Sequence, residues 1–200
     1  MKFAFVHPMR TGGTYAGELF VAATGLAMHC NWRSGRGRDF LRNELLTLAA
    51  TESEGMLHNH AVNWDAETHR WCREHGWRSF AILRDPCDQL ISLWHYCGGA
   101  EGTESTLDQF LFDQACGRIN ANIDFHHWSL PDWWPLIDVL VPYGNRLHEE
   151  LCLRLGLPNC DPLPRRNACE RYCSPSSESL DAVRRSRFYA AYLDAVEKAA

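Results

Sequence analysis

The chain has 200 residues, a formal net charge of −5 and an aromatic content of 12%. This length is enough for one α/β domain with a hydrophobic core, and the aromatic content argues against intrinsic disorder. The sequence has no long run of lysine and arginine, which argues against a nucleic-acid partner. The short cluster Arg184-Arg185-Ser186-Arg187 is better explained as one solvated face of a helix.

Apolar runs of strand length alternate with runs of helical character along the chain. Strands are predicted near residues 2–7, 27–31, 55–59, 79–84 and 137–142, and helices near residues 13–26, 39–51, 65–75, 86–98, 106–118, 144–156 and 178–198. This alternation predicts an α/β fold, with a parallel β-sheet flanked by helices on both faces. We expect a single domain over residues 1–200, a flexible connection at 98–103, and a long loop over 157–179 that packs on the functional site.

The first predicted strand leads directly into a glycine-rich turn. Residues 2–7 are apolar and compact, and Pro8-Met9-Arg10-Thr11-Gly12-Gly13-Thr14 follows them before a helical run. A strand, a Gly-Gly turn and a helix N-terminus together form an anion site, because backbone N–H groups can approach the anion and the helix dipole favours negative charge. Arg10, Thr11 and Thr14 supply further donors. The turn lacks the Walker A pattern, and an ordinary turn before a surface helix would also explain its glycines.

A second predicted strand ends in polar groups that suit a phosphate. The strand at 79–83 is followed by Arg84-Asp85-Pro86 and then by a helix. Pro86 suits the first helical turn, and Asp85 suits the N-cap before it. Arg84 and Ser92 could both reach one phosphate, the arginine as a bidentate cation and the serine as a hydroxyl donor.

These two segments resemble the cofactor-binding motifs of the sulfotransferase family. The run from His7 to Thr14 is similar to the family's 5′-phosphosulfate loop (P-K-T-G-G-T), and Arg84-Asp85-Pro86-x5-Ser92 is similar to its 3′-phosphate motif (R-[DN]-P-x5-S). The resemblance implies a P-loop NTPase-like sulfotransferase fold, the cofactor 3′-phosphoadenosine 5′-phosphosulfate (PAPS), whose product is 3′-phosphoadenosine 5′-phosphate (PAP), and no metal. It assigns the cofactor-binding role to Met9, Arg10, Thr11, Gly12, Gly13, Thr14, Arg84 and Ser92.

The chain departs from the family pattern at Arg10, where the family usually has lysine. In the family this lysine contacts the oxygen that bridges sulfur and the leaving phosphate. Arginine stays charged, so it can neutralise developing charge but cannot release a proton. A leaving phosphate with a second pKa of about 6 needs little protonation, and we therefore expect Arg10 to act as a catalytic residue. Because arginine replaces the family's lysine, a second possibility is a catalytically degenerate protein that binds a nucleotide or a partner as a scaffold.

The end of the third predicted strand carries two candidates for a catalytic base. His58 and His60 are two residues apart in the segment Met56–His60, so a strand would place them on one face. This segment is similar to one in several carbohydrate sulfotransferases in which a histidine acts as the base, and His60 matches that position best, with His58 second. Histidine suits proton transfer at neutral pH. Two histidines that cap a strand through hydrogen bonds are the structural alternative.

Two further segments could contact an acceptor, which we expect to be a sugar or another small-molecule alcohol or phenol. The segment from Asp124 to Trp134 is dense in aromatic residues that could stack on a sugar or could simply form core. The segment from Trp32 to Arg38 has three arginines that could receive an anionic acceptor or a cofactor phosphate, or could form an exposed basic loop.

The cysteines and the apolar pattern of the sequence bear on two questions, whether the protein binds a metal and in which cellular compartment it lies. Cys160, Cys169 and Cys173 cluster in a proline-rich region and could form a disulfide or a metal clip, although the chain has no C-x-x-C pair. His69-x2-Cys72-x2-His75 is better explained as a solvent-facing helix than as a zinc site. Because no basic n-region and no stretch of about 18 apolar residues is present, we expect a cytoplasmic protein without a membrane partner.

A second enzyme class shares the predicted sheet and loop. A P-loop kinase acting on a small molecule would also place a glycine-rich turn after the first strand. It would need a magnesium ligand and a lysine on the phosphates. The turn at residues 8–14 lacks the G-K-[ST] ending, which counts against this alternative.

Overall fold

The computed structural model describes residues 1–8, 10–30, 38–60, 64–118, 134–158, 161–164 and 173–200. Its strands are β1 (Lys2–His7), β2 (Met28–Cys30), β3 (Gly55–His60), β4 (Arg78–Leu83) and β5 (Val139–Pro142). They form a five-stranded parallel sheet in the order β2-β3-β1-β4-β5. Helices cover both faces of this sheet, which confirms the predicted α/β class.

The helices follow the predicted order with two differences. They are α1 (Gly13–Thr24), α2 (Arg38–Thr51), α3 (Ala66–Glu74), α4 (Pro86–Tyr96), α5 (Gly99–Thr103), α6 (Leu107–Ala115), α7 (Leu147–Leu155), α8 (Ser177–Arg184) and α9 (Arg187–Ala199), with a 3-10 turn at Trp134–Leu136. The connection that we expected to be flexible at 98–103 contains α5. The single helix expected at 178–198 is two helices, because Ser186 caps a new N-terminus by accepting the N–H of Tyr189 at 3.4 Å.

Each face of the sheet is buried by a different set of helices. One face packs on α1 and α7 and is rich in aromatic rings, with Phe5 and Phe80 stacked at 4.4 Å between centroids. The opposite face packs on α2, α3 and α9, where small strand residues such as Ala4 and Ala81 are buried together with Trp64 and Trp77. Burial on both faces explains the continuous apolar runs of β1 and β4. Within the described residues, no helix is both long enough and apolar enough to cross a bilayer.

The strand order brings the predicted site segments to one edge. β1 lies between β3 and β4, with His7 in register with His60 and Phe5 in register with Phe80. The loop after β1, the end of β3 and the residues after β4 are therefore neighbours at the carboxyl edge of the sheet. Ligands of open α/β sheets bind at this edge.

Candidate functional site

The loop between β1 and α1 is sharply curled. Arg10 has a φ of 62° and Gly12 a φ of 87°, both in the left-handed region. Thr11 is 1% exposed, and its hydroxyl donates to Pro8 O at 2.8 Å, which closes the loop on itself. Gly12 is the N-cap of α1 and accepts the N–H of Ala16 at 3.0 Å. The first N–H groups of α1 are thus directed out of the helix at the sheet edge, as an anion site requires.

Close packing accounts for both glycines of this loop. A Cβ at Gly12 would lie 3.3 Å from side-chain atoms of Tyr143 and Leu147, and its positive φ would strain any other residue. A Cβ at Gly13 would overlap the ring of His7. The Gly-Gly pair therefore lets the loop lie against the β5–α7 junction while α1 lies directly on β1.

Arg10 links the loop to α4. Its Nε donates to Ser92 Oγ at 3.1 Å, and its guanidinium lies 4.7 Å above the ring of Tyr96, one turn further along the helix. Ser92 is 9% exposed, whereas Tyr96 is 59% exposed. The predicted residues Arg10 and Ser92 are thus in direct contact, although the motifs assign them to different ends of the cofactor.

Arg84, the residue after β4, contacts Arg10 from the other side. Its Nη1 donates to Arg10 O at 2.6 Å, and its guanidinium lies 4.7 Å from the ring centroid of Tyr143. Two guanidinium groups therefore lie at one strand edge, each stacked on a tyrosine. Stacking of this kind fixes the plane in which arginine presents its donors to a carboxylate or phosphate.

Asp85 fixes the start of α4 as the sequence predicted. Its Oδ1 accepts the N–H groups of Cys87 and Asp88 at 2.8 and 3.3 Å, and Pro86 occupies the first turn. Its Oδ2 accepts the hydroxyl of Tyr189 on α9 at 3.1 Å. Burial, together with the Asp85 carboxylate, raises the pKa of Tyr189, so the phenol remains a donor across the physiological range.

The two candidate bases differ in their surroundings. His58 is 4% exposed, and its Nε2 lies 3.1 Å from Nδ1 of His7, with Phe5 packed against both rings. This arrangement matches the hydrogen-bonded alternative for His58. His60 ends β3 directly beside His7 in the sheet; its backbone is described and its side chain lies outside the described part. His7 was missed as a site residue, although its place at the end of β1 was a usable signal.

Several predicted residues lie outside the described part of the chain. They are Met9, residues 32–37 of the arginine-rich segment from Trp32 to Arg38, residues 124–133 of the aromatic segment from Asp124 to Trp134, Cys160 and Cys169. Among the residues with described side chains, Thr14 is exposed in the first turn of α1. No group of three or more His, Cys, Asp and Glu side chains within the described residues could hold a metal ion.

A narrow crevice runs between the loop, the end of β4 and the two helices α4 and α9. The residues that line it include Thr11, Arg84, Gln89, Phe188 and Tyr192. Its volume of about 20 Å³ accommodates one water molecule. A ligand of nucleotide size does not fit inside this crevice.

Comparison with known proteins gave no match of any kind. No family model matches the chain, and neither a curated protein nor a solved structure is similar to it.

Proposed function

We propose that the protein is a sulfotransferase that moves a sulfuryl group from PAPS to an acceptor hydroxyl. The observation that carries this proposal is the contact of three motif residues at one sheet edge. Arg84 Nη1 donates to Arg10 O at 2.6 Å, and Arg10 Nε donates to Ser92 Oγ at 3.1 Å. The two motifs thus share one site, although they are more than 70 residues apart.

The cluster has the donors that both phosphates of the cofactor would need. The N–H groups at the start of α1 and the side chain of Arg10 would hold the 5′-phosphosulfate. Arg84 and Ser92 would hold the 3′-phosphate. Ser92 Oγ accepts from Arg10 and still has its own proton to donate to a phosphate oxygen, because a hydroxyl both donates and accepts.

The chemical step needs a base and a group that stabilises negative charge. PAPS supplies the sulfuryl group. His60 would take the proton of the acceptor hydroxyl as the acceptor oxygen forms its bond to sulfur and the bond between sulfur and the phosphate oxygen breaks. Arg10 and the loop N–H groups would stabilise the charge on the departing phosphate oxygen and the sulfonyl oxygens. PAP and the sulfated acceptor leave, and His60 returns its proton to water.

The contacts of the two histidines favour His60 over His58 as the base. His58 is buried and hydrogen-bonded to His7, so an acceptor hydroxyl cannot reach it without rearrangement of α1. His60→Ala should abolish sulfuryl transfer and leave PAP affinity within about twofold of the wild type, since the base makes little contribution to cofactor binding. Full turnover by this variant would exclude His60 as the base.

Thermal unfolding with PAP tests the cofactor class. At 100 times its Kd, a ligand that binds only the folded state stabilises it by about 2.7 kcal/mol, which raises the Tm by a few degrees for a chain of this length. The Arg84→Ala variant should show no rise in Tm with PAP. Arg118→Ala, which removes an exposed arginine paired with Asp113, should keep it. No shift in the wild type would contradict the proposal, and a shift with ATP and magnesium instead would favour the kinase alternative.

A further inference from the structure

The His7 side chain lies beneath the first turn of α1. His7 is the last residue of β1, and its ring fills the space that a Cβ at Gly13 would need. The three atoms nearest to that position are Nε2, Cε1 and Cδ2 of His7. The imidazole therefore touches the backbone of the residue at which α1 begins.

The orientation of this ring is fixed on two sides. Its Nδ1 lies 3.1 Å from Nε2 of His58, so one imidazole donates to the other. Its face stacks on Phe5 at 5.3 Å between centroids, and Phe5 stacks in turn on Phe80. A partly buried pair of rings that is joined by a hydrogen bond and packed on an aromatic face is rigid, because either ring would lose its partner by turning.

A second glycine of α1 lies over the same pair of rings. A Cβ at Gly17 would come within 2.5 Å of Met28 Sδ and within 3.6 Å of His58 Nδ1. Gly13 and Gly17 are four residues apart and share one face of the helix. α1 thus packs on the histidine pair at two glycines, which have no side chain. The position of the two rings therefore sets the distance between α1 and the sheet.

We propose that His7 is a positioning residue for the anion loop, which it supports through Gly13. This inference rests on the proposed function for the identity of the anion. The N–H groups of a helix N-terminus bind an anion well only when they are held within a fraction of an ångström of the required geometry. His7 holds them by filling the gap between β1 and Gly13, and His58 holds His7.

A double-mutant cycle between His7 and Gly13 tests the contact directly, with PAP as the probe. Gly13→Ala and His7→Ala should each weaken PAP binding by about tenfold, because each displaces the first turn of α1. The double variant should bind PAP more tightly than Gly13→Ala alone, because the new Cβ enters the space that His7 has left. If the fold-losses in PAP affinity of the two single variants multiply in the double variant, the proposal is overturned.

Hydrogen exchange of the Ala16 amide tests the same claim without a ligand. This N–H donates to Gly12 O at 3.0 Å, so its exchange reports opening of the first turn of α1. His7→Leu should accelerate the exchange by about tenfold, and His7→Asn, which offers His58 a polar partner, should restore part of the protection. Ser79→Ala is the control, because it removes hydrogen bonds to Asp138 at the opposite edge of the sheet. It should leave the Ala16 rate unchanged.

The two readouts separate this inference from the proposed function. If the wild type does not bind PAP, the proposed function fails, and the exchange rates still decide the role of His7. If Ala16 exchanges at the wild-type rate in His7→Leu, His7 does not position the loop, whatever the ligand is. Acceleration in His7→Leu without acceleration in Ser79→Ala supports the inference.

Discussion

Arg10 Nε donates a hydrogen bond to Ser92 Oγ at 3.1 Å, across 82 residues of sequence. The same arginine stacks on Tyr96 and has a backbone φ of 62°, in a region that residues other than glycine seldom adopt. Its backbone oxygen accepts from Arg84. An unfavourable backbone conformation that is held by several partners is typical of functional sites.

Arg10→Gly should separate stability from binding. The variant relieves about 1–2 kcal/mol of left-handed backbone strain. It loses a hydrogen bond of about 1 kcal/mol and a stacking contact of about 0.5–1 kcal/mol. The free energy of unfolding should therefore stay within about 1 kcal/mol of the wild type, while PAP affinity falls at least about tenfold. Urea unfolding and calorimetric titration measure the two quantities, and wild-type affinity in this variant would remove Arg10 from the site.

Tyr96 should act on the site through its ring and not through its hydroxyl. The guanidinium of Arg10 lies 4.7 Å above this exposed ring. Tyr96→Leu should weaken PAP binding by about two- to fivefold, the equivalent of a cation–π contact of about 0.5–1 kcal/mol. Tyr96→Phe keeps the aromatic face and should bind PAP as the wild type does. Equal affinities of the Leu and Phe variants would show that the stacking has no role.

Asp108 should make the stability of the protein depend on acid pH. Its carboxylate accepts the N–H of Ser176 and the hydroxyl of Ser179, at 2.8 and 2.7 Å, and these bonds lower its pKa. A carboxyl whose pKa is lowered by folding stabilises the fold at pH values above its ordinary pKa. This contribution is lost as the pH falls through the pKa of the group in the folded protein. Asp108→Asn should therefore unfold at less urea than the wild type at pH 7.

The difference in urea midpoint between Asp108→Asn and the wild type should shrink as the pH falls below about 4. Asp194→Asn, on the exposed side of α9, is the matched control and should track the wild type at every pH. A difference between Asp108→Asn and the wild type that is independent of pH would assign the effect to side-chain shape and not to charge.

Two buried thiols should be inert in the folded protein. Burial raises the pKa of Cys72 to about 12 and that of Cys87 to about 11, the latter with help from Asp85. At pH 8 the thiolate fraction of Cys87 is then roughly a thousandth. Iodoacetamide should label the exposed Cys116 and Cys173 first, and Cys87 only on unfolding. Rapid labelling of Cys87 in the native protein, followed by mass spectrometry, would contradict this.

Local rules predicted the elements of the fold and part of the site. Alternating apolar and helical runs located the strands, and the Asp85-Pro86 pair marked the start of α4, because capping depends only on neighbouring residues. The break between α8 and α9 had a local signal in Ser186, but the basic run around it suggested one continuous helix face. Gly98 and Gly99 suggested flexibility. In the structure both have positive φ values, and Gly98 is the N-cap and Gly99 the first residue of the short helix α5.

The contacts that build the site depend on long-range geometry and could not be predicted. The pairing of His7 with His58 requires the register of β1 on β3 and the close approach of α1. Thr11 was expected to offer its hydroxyl to an anion, and in the structure that hydroxyl donates to Pro8 O. The contact between Arg10 and Ser92 arises because β1 and β4 are adjacent, which follows from the strand order and not from either motif.

The most direct measurement is a calorimetric titration of the wild type with PAP and with adenosine 5′-monophosphate, which lacks the 3′-phosphate. Charge-assisted hydrogen bonds contribute about 1.5–3 kcal/mol each. Contacts from Arg84 and Ser92 to the 3′-phosphate should therefore make PAP bind about 100-fold more tightly or better. Arg84→Ala should remove most of this preference. Equal affinities for the two nucleotides, or no binding of PAP, would contradict the assignment of this site to a sulfuryl donor.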